Sequence, residues 1–109
     1  MSIIWSNQID PILSRGISLE QFGIRNWVLN REEALQAVCE IEALGIAVLG
    51  GDVYQLVEGE AKQNYDSWYC DQTSDESEFV FFKRSTDMAK AYILSYSMPK
   101  AFFALVPKI

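Results

Sequence analysis

The clearest periodic signal in the chain runs from Arg31 to Leu44, where Ala34, Ala37, Val38, Ile41 and Leu44 recur at three- and four-residue spacing opposite Glu32, Gln36 and Glu40. That is the pattern of an amphipathic helix with one apolar stripe. Asn30 stands where an N-cap belongs, Glu33 follows at the capping-box interval, and Glu32 and Glu33 complement the positive end of the helix dipole. Gly45 supplies the stop. Upstream, Asn26–Leu29 reads as a short strand holding Trp27 and Val28. Earlier still, Asp10 and Pro11 read as a cap and first helical position, with Ile12 and Leu13 inward. Gly16 ends this short helix, whose start falls between Ser2 and Asp10.

After Gly45 the period changes from helix to strand. Ile46–Leu49 and Asp52–Val57 flank Gly50 and Gly51, and Val53, Gln55 and Val57 alternate with Tyr54 and Leu56. Two adjacent glycines suit the positive φ angles of a type I′ turn, so a tight hairpin is predicted there. Glu58 and Gly59 mark the next turn, and Lys62–Tyr69 returns as a third antiparallel strand. The polar segment Asp71–Glu78 is a loop containing several possible helix caps. A long helix then runs to about Ser97, with Phe82, Ala89, Tyr92, Ile93 and Tyr96 inward and Lys83, Asp87 and Lys90 facing water. Phe79–Phe82, four apolar residues in succession, fits either the first turn of that helix or a short strand before a helix beginning near Ser85. Pro99 forbids further helix, and Ala101–Val106 forms a buried strand between Pro99 and Pro107. The prediction is an α+β fold in one domain over residues 1–109. A small, mainly antiparallel sheet with a central hairpin packs against two main helices plus a short N-terminal helix.

Composition narrows the function. Apolar residues make up 50% of the 109, enough for a core without staples or metals. The net charge is −6 and the nine Lys and Arg residues are scattered, so nucleic-acid binding is not expected, whereas a basic protein partner is attracted. No segment is long and apolar enough to span a membrane, and the N-terminus lacks a signal-peptide pattern. A cytoplasmic protein is therefore expected, with Cys39 and Cys70 as free thiols.

Candidate chemistry is sparse. The chain has no histidine, which removes the usual general base and the commonest metal ligand. Cys39 lies on or beside the core side of its helix, as a small hydrophobe, and the carboxylate of Asp71 raises rather than lowers the pKa of Cys70. No Gly-Lys-Ser/Thr follows Gly50 and Gly51, so they are not a phosphate loop. Asp52, Asp66, Asp71, Asp75 and Glu76 lack the spacing of a calcium loop. No catalytic residue, cofactor or metal is predicted. The informative stretch is Tyr65-Asp66-Ser67-Trp68-Tyr69-Cys70-Asp71, where amphipathic rings alternate with carboxylates in the manner of a protein interface. Candidate partner-binding residues are Asp52, Tyr54, Tyr65, Asp66, Trp68 and Asp71. Trp68 and Tyr54 fit a core position as well as an interface.

Four segments carry a family resemblance: Gly16-Ile17-Ser18-Leu19-Glu20-Gln21-Phe22-Gly23, Asn26-Trp27, Gly50-Gly51-Asp52-Val53-Tyr54, and Tyr65 to Asp71. In this order they resemble the immunity protein 40 family of bacterial polymorphic toxin systems, over roughly Gly16 to Val106. The resemblance implies a protein that binds and neutralises a cognate toxin domain, with no cofactor and no reaction. It does not identify the toxin's activity. Two other readings stay open: a small regulatory or scaffold module using the same surface, and a small-molecule-binding or weakly catalytic domain with a pocket between the sheet and the helix ending near Ser97.

Overall fold

In the computed structural model, which describes residues 2–109, five antiparallel strands form one sheet and three helices pack with it. The order along the chain is α1 (Asp10–Leu13), β1 (Ile17–Ser18), β2 (Trp27–Asn30), α2 (Arg31–Ala43), β3 (Val48–Val57), β4 (Glu60–Tyr69), α3 (Glu78–Ser95) and β5 (Phe102–Pro107). In space the strands run β1-β2-β5-β3-β4. Strand β5 therefore slots between β2 and β3, which are parallel to each other and joined by α2. Strand β3 likewise separates β4 from β5, which α3 joins. The two crossovers run in opposite directions over oppositely directed strands, so a common right-handed sense places both helices on one face.

The capping box of α2 forms as its sequence requires: Asn30 Oδ1 accepts from the Glu33 N–H at 2.8 Å, and Glu33 Oε1 accepts from the Asn30 N–H at 3.0 Å. Ala34, Ala37, Val38 and Ile41 are buried, but Leu44, at the C-cap, is exposed. Cys39 is also exposed, because residue 39 follows the buried Val38 by one step of about 100° and leaves the stripe. In α3 the buried line is Phe81, Ser85, Ala89 and Ile93, a strict four-residue repeat. Phe82 is only half-buried, and the two serine and threonine positions at 85 and 86 hide the stripe from a reading by hydropathy. Phe79–Phe82 is helical, since the Ser77 hydroxyl caps the helix by accepting from the Val80 N–H at 3.1 Å. Lys90 does not simply face water: it pairs with Glu42 at 2.6 Å, joined by Lys83 at 3.0 Å, and ties α3 to α2.

Two further local expectations change. Gly50 and Gly51 lie inside β3, paired with Tyr69 and Trp68 on one side and with Val106 and Leu105 on the other. The hairpin turn is Glu58-Gly59, both at positive φ (54° and 82°), which gives the type I′ geometry between Val57 and Glu60. The glycine pair instead makes room: a Cβ at Gly50 would stand 2.2 Å from the Trp68 carbonyl oxygen. Asp10 also does not cap its own helix. Its carboxylate turns back and accepts from the N–H groups of Ile4 and Trp5, each at 2.8 Å, fastening the N-terminal segment.

The main core lies between the helices and the sheet and includes Leu13, Leu29, Val38, Ile41, Val53, Trp68, Ile93, Phe103 and Leu105. Trp68 stacks on Tyr92 at 4.6 Å between ring centroids and meets Phe103 edge-on at 6.5 Å, and Tyr96 stands edge-on to Phe103 at 5.9 Å. Beyond these rings, where a pocket between the sheet and the end of α3 was considered, a hollow of about 510 Å³ opens, lined by Arg31, Gln55, Leu56, Met98 and Phe102. Arg31, at the start of α2, reaches the carbonyls of Ile93, Leu94 and Met98 and satisfies the C-terminal end of α3. On the other face of the sheet, Leu19, Val28, Tyr54, Ala61 and Ala104 form a smaller cluster covered by the segment around Leu19.

Candidate functional site

Alternation along β3 turns Val53 toward the helices and Asp52 and Tyr54 toward the opposite face. Asp52 pairs with Ser67 of β4 and Ala104 of β5, so its carboxylate stands in the middle of a strand triplet. Gly50 and Gly51 let the backbone of β4 and the Trp68 indole close up against β3, and the sheet surface beside Asp52 is hollow. A groove of about 350 Å³ opens there, lined by Gly50, Gly51, Asp52, Ser67, Tyr69 and Asp71, with Trp68 beneath. Burial pushes the Asp52 carboxyl up. Burial and then the nearby Asp52 charge do the same to the phenol of Tyr54.

The six candidate residues divide. Asp52, Trp68 and Asp71 meet around the groove. Trp68, 7% exposed, and Tyr54, 5% exposed, belong to the packing of the two faces. The indole N–H of Trp68 is buried without a partner. Tyr65 and Asp66 sit further along β4, where the strand departs from regular pairing. Tyr65 is 85% exposed. Tyr69, at 74% exposure, is a groove residue that the sequence reading quoted but did not single out. It shares a strand face with Ser67, a relation visible only once the β3–β4 register is known.

Arg84 is a second residue that sequence reasoning missed. Its guanidinium pairs with Glu76, donates to the Asp71 carbonyl at 2.6 Å and lies 3.1 Å from Cys70 Sγ, so one α3 side chain pins the loop that carries Asp71. Arg84 draws the Glu76 carboxyl down to about 2. Burial pushes the Cys70 thiol up, against the nearby Arg84 charge, which leaves the sulfur a poor nucleophile. Cys39 and Cys70 are both free. Among the described residues, no group of three or more His, Cys, Asp or Glu is placed to hold a metal ion, and no helix is long and apolar enough to cross a membrane.

The segments that carried the family resemblance have structural reasons to be what they are. A Cβ at Gly16 would meet the Val28 carbonyl oxygen at 2.2 Å. Asn26 Nδ2 donates to the Leu105 carbonyl at 3.0 Å and joins the β2 side to β5. The glycine pair underlies Trp68, and of the segment Tyr65 to Asp71 the residues Ser67, Tyr69 and Asp71 form the outer edge of the groove. Comparison with curated proteins and with solved structures finds no match. The immunity protein 40 family model matches residues 18–107, nearly the whole span over which these contacts are made, and the chain belongs to that family.

Proposed function

We propose that this protein binds and neutralises a cognate toxin domain, without catalysis, through the sheet face that the helices leave open. The observation that carries the surface assignment is the groove itself: Asp52, Ser67, Tyr69 and Asp71 line a hollow on the sheet beside Gly50 and Gly51. A partner side chain entering it meets aromatic surface and negative charge together, the combination found at interface anchors. Asp52 suits a cationic group, because a carboxylate already half-desolvated gains more from a partner's charge than one in bulk water. The net charge of −6 would also steer a basic toxin surface toward the protein.

The test is co-expression with the cognate toxin domain. Tyr69→Ser with Asp71→Lys alters two exposed side chains, so the fold and melting temperature should hold while protection is lost. Removing a charge from a desolvated pair costs about 2 to 5 kcal/mol of binding. Asp87→Lys makes the same charge change on the exposed surface of α3 and should protect fully. A double variant that still protects sinks the groove as the binding surface. A wild-type protein that fails to bind the purified toxin domain sinks the functional reading itself.

A further inference from the structure

Strand β4 follows β3 in register from Tyr69↔Gly50 to Ser67↔Asp52, then loses it and resumes at Gln63↔Tyr54. Three residues, Asn64, Tyr65 and Asp66, therefore stand opposite the single Val53. The centre of this bulge is Tyr65, at φ 70°. A bulky side chain is disfavoured there, whereas Asn and Asp tolerate it. Both flanking residues are of the tolerant kind, yet the aromatic residue takes the strained position.

A closed set of hydrogen bonds holds it there. Asn64 Oδ1 accepts from the Asp66 N–H at 3.0 Å, closing the turn around Tyr65. Asn64 Nδ2 donates to the Tyr96 hydroxyl at 2.8 Å, and that hydroxyl donates to Asp66 Oδ2. Tyr96 is itself fixed against Phe103 and Tyr92, so the clamp is anchored in the core. A bulge that only blunted an edge strand could place glycine at this φ without strain. Here the backbone geometry is enforced from both sides, and its result is one side chain, 85% exposed, leaving the edge of the sheet.

We infer that Tyr65 is a pre-organised aromatic anchor for the toxin domain, and that Asn64, Asp66 and Tyr96 are positioning residues that aim it. This rests on the reading that the protein binds such a domain. The socket it fits is apolar at its floor and basic at its rim, since Tyr65 is followed directly by the carboxylate-bearing Asp66 and the protein as a whole is acidic. A backbone already held in place loses little freedom on binding, and tyrosine is among the residue types that dominate interface energetics.

The experiment measures toxin-domain affinity and melting temperature together. Tyr65→Gly removes the anchor and accepts the positive φ, so the melting temperature should stay level or rise while affinity falls by about 30-fold or more. Tyr96→Phe keeps the anchor and the core ring but cuts the clamp, and should weaken affinity by about tenfold, chiefly through faster dissociation. If the wild type binds and Tyr65→Gly binds equally well, the anchor is refuted and the toxin-binding reading survives. If Tyr65→Gly lowers the melting temperature as much as a core truncation, Tyr65 is structural and the inference falls. Self-association of the wild type that Tyr65→Gly abolishes would assign the ring to a second copy of this chain instead. A wild type that does not bind the toxin domain removes the broader reading and this inference with it.

Discussion

A methyl group added at Gly51 would lie 2.4 Å from Trp68 Cη2, 2.7 Å from Trp68 Cζ3 and 2.6 Å from the Ala104 carbonyl oxygen. Comfortable carbon contacts are roughly 3.5 to 4.0 Å, so something has to move by about an ångström. Neither neighbour can do so freely. The Ala104 carbonyl belongs to central β5, and the Trp68 ring is stacked on Tyr92 and bounded by Phe103. Overpacking of this kind costs about 1 to 3 kcal/mol. For a chain of this size that corresponds to a fall in melting temperature of roughly 5 to 15 °C. Thermal unfolding of Gly51→Ala followed by circular dichroism measures it, and a double-mutant cycle with Trp68→Leu gives the mechanism. Shrinking the indole should make Gly51→Ala cheaper by about 1 kcal/mol, because residues in contact couple. Gly59→Ala is the contrast: nothing lies within 4 Å of its added Cβ, its φ is +82°, and its cost should come from the backbone alone, with no coupling to Trp68. A Gly51→Ala protein within about 0.5 kcal/mol of wild type, the range of an indifferent surface change, would refute the packing argument. So would strict additivity with Trp68→Leu.

Glu58→Asn should stabilise the protein by about 0.5 to 1 kcal/mol, because Glu58 holds φ 54° in the β3–β4 turn and Asn-Gly is the favoured type I′ pair; chemical denaturation would detect it. Acid should weaken the protein between the ordinary glutamate range and about pH 2. Lys90 and then Lys83 hold the Glu42 carboxyl down to about 2, and Arg84 does the same to Glu76. A depressed folded-state pKa means stability that is complete above the unfolded value of 4.5 and lost as pH falls through about 2. Glu42→Gln should flatten the low-pH limb of a stability–pH curve, and an unchanged limb would show that this cluster is not its source.

The capped helix was legible because its information is local. Asn30, Glu33 and the Ala34–Ile41 stripe lie within four residues of their partners, and backbone geometry alone brings them together. The same holds for Ser77 and the Val80 N–H. The glycine pair was misread for the complementary reason: Gly50-Gly51 is a turn signal in isolation, and what makes it a strand is the indole of Trp68 arriving from the next strand. The Glu58-Gly59 turn, a weaker signal, was available to take the reversal. In α3 the polar Ser85 and Thr86 broke the apolar pattern although both are fully buried. Ser85 Oγ accepts from the Val48 N–H at 3.1 Å, and Thr86 Oγ1 lies 3.1 Å from Glu42 Oε2, partners 37 and 44 residues away.

For the site, the sequence by itself determined the ingredients. It placed Tyr65, Asp66, Trp68 and Asp71 in one short segment and Asp52 beside two glycines, and it removed histidine chemistry altogether. Which of these face solvent was decided by the tertiary structure, because a β-strand sends neighbours to opposite faces and one change of register inverts the assignment. The β3–β4 pairing sends Trp68 under Gly51 into the core and Tyr69 out over the groove. A bulge of three residues against one exposes Tyr65, and its closure depends on Tyr96, 31 positions along the chain from Tyr65. Local composition is set by the chain; register, burial and the meeting of distant hydroxyl and carboxylate groups arise only when strand and helix are packed together.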